Sequence, residues 1–272
     1  MRNSFIFGKK KAGMTQQIYK SLLEAKQHHQ KRFAVLIDPD KIRLGNVDKV
    51  LDLAVRAKVD YFFVGGSLVV NDMMDYCLDA IRKSTLNIPT IIFPGSLQQI
   101  NDKANALLFL SLISGRNADF LIGQQVLSAP MLKNSLLEVI STGYMLIDGG
   151  APTTASYISG TTPIPANKDD IAYCTALAGE LLGLKTIYMD AGSGAKMPIS
   201  ESMIALVSLS IDIPLIVGGG MRTPEKAAAN ARAGADVIVV GNAIEKDPSL
   251  LLELSEAIHS ATTSKLPKLN LK

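Results

Sequence analysis

The chain has 272 residues, 47% of them hydrophobic, and its 28 Lys and Arg against 25 Asp and Glu leave a net charge of +3. That apolar content can fill one sizeable core, and single α/β barrels commonly run to about 250 residues, so a single domain over 1–272 is expected. Basic and acidic residues are interspersed without an aromatic-studded basic face, which argues against nucleic acid, and no apolar run approaches the roughly 18 residues of a membrane span.

The N-terminus, MRNSFIFGKKKAGM, is basic but lacks the apolar stretch of a signal peptide. Lys9–Lys11 allow at most peripheral contact with anionic lipid, and such a run is more often a solvated turn. The 3.6-residue spacing of Ile18, Leu22, Leu23 and Ala25 predicts an amphipathic helix over 15–30, placed ahead of the first strand as a lid on a barrel's lower end. Strands are expected over 33–38, 60–67 and 89–96, with helices over 44–58 and 69–83 between them. Residues 97–105 are too few for a full helix, so the third crossover is read as degenerate. The run 107–114 is continuously apolar, as in a strand buried on both faces. A helix over 117–134 contains Pro130, which should break or kink it. The fifth strand, 137–148, leads into 149–168, a stretch rich in Ser, Thr, Pro and Gly without periodicity; a loop of that length is usually functional or disordered. Regular alternation then resumes with helices over 169–182, 199–209, 224–233 and 248–260 and strands over 185–190, 214–217 and 236–240, before a polar tail over 261–272 that should fray.

Eight strand and helix units predict an α/β fold, a (β/α)8 TIM barrel with an additional N-terminal helix and a degenerate third helix region. The echo between VDYFFVGGS and ADVIVVGNA places Gly65 and Gly241 where strand meets loop. That is the C-terminal face of the barrel, where active sites sit.

Several turns on that face carry candidate chemistry. In IYMDAGSGA an apolar strand ends in Asp190 and opens into Gly192, Ser193 and Gly194, small residues whose N–H groups can close on an anion. Gly218–Gly220 precede a helix start at Thr223 and Pro224. These could be a tight turn with ordinary capping, yet three glycines exceed what a turn needs. With Gly241 and Asn242 they favour a phosphate site after the last strands. In DPDK, Asp38 reads equally as a turn former or, with Ser67, as an oxygen ligand for Mg2+. Asp190 could pair with a lysine or cap its turn; beside the glycine cradle it suits a base for the hydroxyl of a bound phosphate ester, with Tyr188 on the same side of the strand. His28, His29 and His259 fall on helices away from this face, which disfavours His catalysis and zinc. No lysine occupies the interior of a predicted strand, Lys185 only beginning one, which disfavours Schiff-base chemistry. Cys77 and Cys174 read as buried thiols of a cytoplasmic protein.

The run SYISGTTPIPANKDDIAYCTALAGELLGLKTIYMDAGSGA, together with LIDPDK, YFFVGGS, PTIIFPGS and VGGGMRTPE, resembles the geranylgeranylglyceryl phosphate synthase family from residue 35 to about residue 247. The turns match in order and register, and the PIP-containing loop resembles the second of the family's two groups. The resemblance implies a Mg2+-dependent prenyltransferase that joins geranylgeranyl diphosphate to the free primary hydroxyl of sn-glycerol 1-phosphate. It also implies a homo-oligomer, dimer or hexamer. By matching position, Asp38 and Ser67 would serve Mg2+ and the diphosphate. Tyr188, Met189, Asp190, Ala191, Gly192, Ser193, Gly194, Gly218, Gly219, Gly241 and Asn242 would hold glycerol phosphate, with Asp190 and Tyr188 in the catalytic role. Asp190 stands where the family usually has Glu, one methylene longer, so the base must be brought closer or act through water. Two other readings stay open. One is another phosphate-binding barrel enzyme, an isomerase or lyase, which would not need DPDK; the other is a catalytically idle binder of prenyl or lipid phosphates.

Overall fold

Runs such as YFFV and VIVV are buried at every residue, as strands covered on both faces must be. In the computed structural model, which describes residues 16–41, 47–70, 73–85 and 88–261, eight parallel strands close on themselves in chain order. They are β1 (Arg32–Ile37), β2 (Tyr61–Val64), β3 (Thr90–Ile92), β4 (Ala106–Leu112), β5 (Glu138–Leu146), β6 (Thr186–Asp190), β7 (Leu215–Gly218) and β8 (Val237–Val240). Closure is the pairing of β1 with both β2 and β8, Val35 lying opposite Phe62 on one side and Val240 on the other. The helices are α1 (Gln17–Gln27), α2 (Val47–Arg56), α3 (Met74–Ser84), α4 (Gln124–Asn134), α5 (Thr154–Ser159), α6 (Asp169–Leu181), α7 (Glu201–Ser210), α8 (Pro224–Arg232), α9 (Asn242–Lys246) and α10 (Leu250–His259). Among the described residues no helix is long and apolar enough to cross a membrane.

Strand alternation separates two cores. Phe33, Val35, Phe62, Val64, Ile187 and Met189 pack outward under the helices, whereas Ala34, Phe63, Ile91, Leu108, Ile140, Tyr144, Tyr188 and Ile216 fill the barrel. Helix α1 is the expected lid: Ile18 and Leu22 belong to the interior cluster. The Glu138 carboxylate accepts hydrogen bonds from the Ile18 and Tyr19 amides at 2.9 and 2.8 Å, an anion where the helix N-terminus is electropositive.

The third crossover is reduced to a single 3₁₀ turn, Leu97–Gln99, as its length required. Three expectations need correction. The 117–134 segment opens with a π-helical turn, Asp119–Gly123, and α4 then runs through Pro130 without ending; Val126 and Pro130 lie on its exposed face, where water can take the carbonyl bond that proline does not make. The 149–168 stretch is not all loop. It holds α5, whose Thr153 hydroxyl accepts from the Ser156 amide while the Ser156 hydroxyl accepts from the Thr153 amide, and which ends at Gly160 in the left-handed region. A helix of 6 residues is too short to show a period. Cys77 is buried, which pushes its thiol up to about 12, but Cys174 is exposed because the buried stripe of α6 runs through Ala172, Ala176 and Gly179 instead. Lys9–Lys11, Thr15, the expected helical residues 44–46 and 71–72, and the tail from 262 onward lie outside the described residues.

Candidate active site

The two-residue strand period decides which side chains reach the barrel mouth. On β6 it turns Thr186, Tyr188 and Asp190 inward and Met189 outward. Parallel pairing sets Tyr144 of β5 opposite Tyr188, and Asp190 opposite Gly218 of β7. The Asp190 carboxylate is 9% exposed and held at both oxygens: the Tyr144 hydroxyl donates to Oδ2 at 2.7 Å and the Gly192 amide donates to Oδ1 at 2.7 Å. Burial raises its pKa above the usual carboxylate range, and these two hydrogen bonds pull it part of the way back. Burial and the Asp190 charge push both tyrosines well above their ordinary values, so they stay protonated donors. Tyr188 stacks on Phe93 with ring centroids 4.8 Å apart, and Tyr144 packs against both.

Around this acid the expected turns converge. Gly219 has φ +84°, and a Cβ there would lie 2.7 Å from the Ala191 and Gly192 amide nitrogens and 2.8 Å from Asp190 Oδ1. Only glycine lets the β7 turn close on the β6 turn at that distance. Ser193 meets Asn242, whose Nδ2 donates to the Ser193 hydroxyl at 3.2 Å. Asp190, Gly192, Ser193, Gly194, Gly219, Gly241 and Asn242 thus line one cavity, of about 1360 Å³ to its open mouth. Thr223 caps α8 with Pro224 at its first position, as the sequence suggested.

Not every assigned residue faces that cavity. The resemblance gives Met189 and Ala191 to the substrate, but their side chains pack in the outer layer between strands and helices. Gly218 packs on Tyr188, whose hydroxyl oxygen would lie 2.6 Å from a Cβ at that position.

Asp38, just past β1, and Ser67, past β2, line the same cavity. The Asp38 carboxylate takes the Asp40 amide on Oδ1 at 3.1 Å and the Lys41 ammonium on Oδ2 at 3.0 Å. Gly66 leaves it uncovered, since a Cβ there would lie 3.2 Å from Oδ1. These are oxygen donors of the type a hard divalent cation takes. Among the described residues no three His, Cys, Asp or Glu converge on a point.

Tyr144 and Lys41 were not singled out by the sequence. Tyr144 carried a signal only in retrospect, as an inward position of β5 beside Tyr188. Lys41 ends the DPDK motif, and its reach of 3.4 Å to the Ser193 hydroxyl and 3.3 Å to Asn242 Oδ1 depends on turns far away in the chain. A second, apolar groove opens beside the first between β4 and α4, lined by Leu108, Leu110, Phe120, Ser128 and Leu132. Gly66, Ser67 and Phe93 line both spaces.

Comparison with known proteins shows the family and the fold. A family model described as the PcrB family matches residues 26–260. The chain is 57% identical over 248 residues to the geranylgeranylglyceryl phosphate synthase of Chitinophaga pinensis, covering 91% of this chain and 98% of that protein. It is 41% identical to the enzyme of the same name from Thermococcus kodakarensis over 229 residues, 84% of this chain and 90% of the other. Among solved structures, (S)-3-O-geranylgeranylglyceryl phosphate synthase from Thermoplasma acidophilum, in complex with substrate sn-glycerol-1-phosphate, superposes with a TM-score of 0.84 at 33% identity, covering 89% of this chain and 98% of that one.

Proposed function

The chain belongs to the PcrB family, and from that premise we propose that it transfers a geranylgeranyl group from geranylgeranyl diphosphate to the C3 hydroxyl of sn-glycerol 1-phosphate, with Mg2+ as cofactor. The observation that carries the reading is the placement of one buried acid, Asp190, against the glycine turns that follow β6 and β7 and within the cavity that the β8 turn completes. Phosphate held by the amides near Ser193, Gly194, Gly219 and Gly241 leaves the glycerol pointing toward Asp190, whose Oδ1 keeps the Gly192 amide.

In the reaction the prenyl C1–O bond breaks, pyrophosphate departs with the bonding electrons, and the C3 oxygen bonds to C1. The hydroxyl proton goes to the Asp190 carboxylate. Each carboxylate oxygen has two lone pairs and here uses one for Tyr144 or Gly192, so a lone pair remains for the incoming hydroxyl. Asp38 and Ser67 would hold Mg2+, an ion that uses one or two protein carboxylates and completes its shell with water and substrate phosphate. When bound, the ion supplies neutralisation of the leaving diphosphate's charge. The apolar groove joined to the cavity at Gly66, Ser67 and Phe93 suits the prenyl tail. The reading includes a cytoplasmic homo-oligomer, dimer or hexamer; the exposed apolar side chains of Val126, Leu127 and Met131 on α4 support self-association.

The test is turnover of the pure protein with Mg2+, labelled sn-glycerol 1-phosphate and prenyl diphosphates of several lengths. Butanol-extractable label is expected, and Asp190→Asn should lower kcat by roughly 100- to 10,000-fold, the usual contribution of a general base. No extractable product would remove the transferase reading, and an undiminished Asp190→Asn would remove the acid from its role.

A further inference from the structure

Lys41 touches both halves of the mouth. Its ammonium lies 3.0 Å from Asp38 Oδ2, 3.3 Å from Asn242 Oδ1, 3.4 Å from the Ser193 hydroxyl and 3.9 Å from Glu245 Oε2. An ammonium has three N–H groups and no acceptor, so Asp38, Asn242 and Ser193 take all three and Glu245 is left with the longer charge contact. Its shortest contact is to a carboxylate oxygen of the residue assigned to the cation. Its contacts to Ser193 and Asn242 are to the β6 and β8 turns assigned to the phosphate. The side chain is 44% exposed and carried on a flexible stem, so it can exchange one set of partners for the other.

We propose, resting on the functional reading above, that Lys41 is a movable counter-charge that couples the cation at Asp38 to glycerol phosphate at the Ser193 and Asn242 turns. Without the cation, Lys41 neutralises Asp38. A divalent cation competes for the same carboxylate and repels the ammonium, which then turns to Ser193 and Asn242 and adds its charge to the phosphate cradle. Glu245, on α9, keeps the ammonium at the mouth during the exchange. Loading the cation therefore primes the phosphate site, and by linkage glycerol phosphate tightens cation binding by the same factor.

Isothermal titration calorimetry on the full chain tests this, with Mg2+ alone and with sn-glycerol 1-phosphate at zero and saturating Mg2+, in the wild type, Lys41→Met and Lys41→Gln. In the wild type Mg2+ should tighten glycerol phosphate binding by roughly 5-fold or more, the ordinary scale of such coupling. In both variants Mg2+ alone should bind several-fold more tightly, because its competitor is gone. The coupling factor should fall toward what direct attraction between cation and phosphate leaves. If both variants keep either the wild-type Mg2+ affinity or the wild-type coupling factor while the wild type binds both ligands, the coupling role of Lys41 is overturned alone. A wild type that binds neither ligand overturns the functional reading, and this inference with it.

Discussion

Asp190 is a short acid in a dry place, and its two hydrogen bonds decide what it can do. Its carboxylate must be ionised to accept a proton, while burial favours the neutral form. The acidic limb of the kcat profile should therefore lie above the range of an ordinary carboxylate, with activity lost as pH falls through it. The titratable groups against Asp190 are Tyr144 from β5 and Tyr188 from β6, with the Gly192 amide completing its hydrogen bonds. Removing the Tyr144 hydroxyl in Tyr144→Phe should raise the pKa of Asp190 further, moving the limb to higher pH and lowering kcat. The KM for glycerol phosphate should barely change, because the phosphate turns are untouched. A pH profile identical to the wild type would show that Tyr144 only fills space.

At the scale of elements, the end of the barrel opposite the site is closed by a charged contact that the chemistry does not use. Helix α1 meets the strands through Ile18 and Leu22 and is fixed by the buried Glu138 carboxylate on two amides of its first turn. Lys26 and Asp236 add a partly buried ion pair at 3.3 Å on the same side. Glu138→Ala leaves two helix N–H groups without their anion, and should cost about 2 kcal/mol, read as a lower denaturation midpoint. Glycerol phosphate affinity should not change, since Glu138 begins β5 and the phosphate turns follow the far ends of β6–β8. A loss of affinity matching the loss of stability would show that the two ends of the barrel are not independent.

Across the whole molecule the two spaces meet along Gly66, Ser67 and Phe93, so a diphosphate at that junction would have glycerol phosphate on one side and its hydrocarbon on the other. The groove continues past Ser128 and Leu132 on α4, which runs back down the barrel toward the start of β4. Ser128 is buried and lines the groove, so a larger side chain there would extend into it. Ser128→Phe should shorten the longest prenyl diphosphate accepted while leaving glycerol phosphate binding as it was. Competition assays with prenyl diphosphates of graded length would measure this, and an unchanged length preference would mean that the tail lies elsewhere.

Local pattern was enough for the barrel, the lid helix, the degenerate third crossover and the glycine turns with Asp190 at their centre. Each is written in consecutive residues, as an apolar period, a run too short for a helix, or small residues after a strand. The same local period placed Tyr188 and Asp190 on one side of β6, and it would have turned Met189 outward had it been carried one residue further. Helix α5 escaped because one and a half turns show no period. What only the folded chain decided is which side chains meet. Tyr144 and Asp190 are 46 residues apart, and Lys41 is 152 residues from Ser193 and 201 from Asn242. Those contacts arise from the register between neighbouring strands and from the closure of β8 onto β1, and no stretch of sequence carries either, because both are set by packing between segments rather than within one.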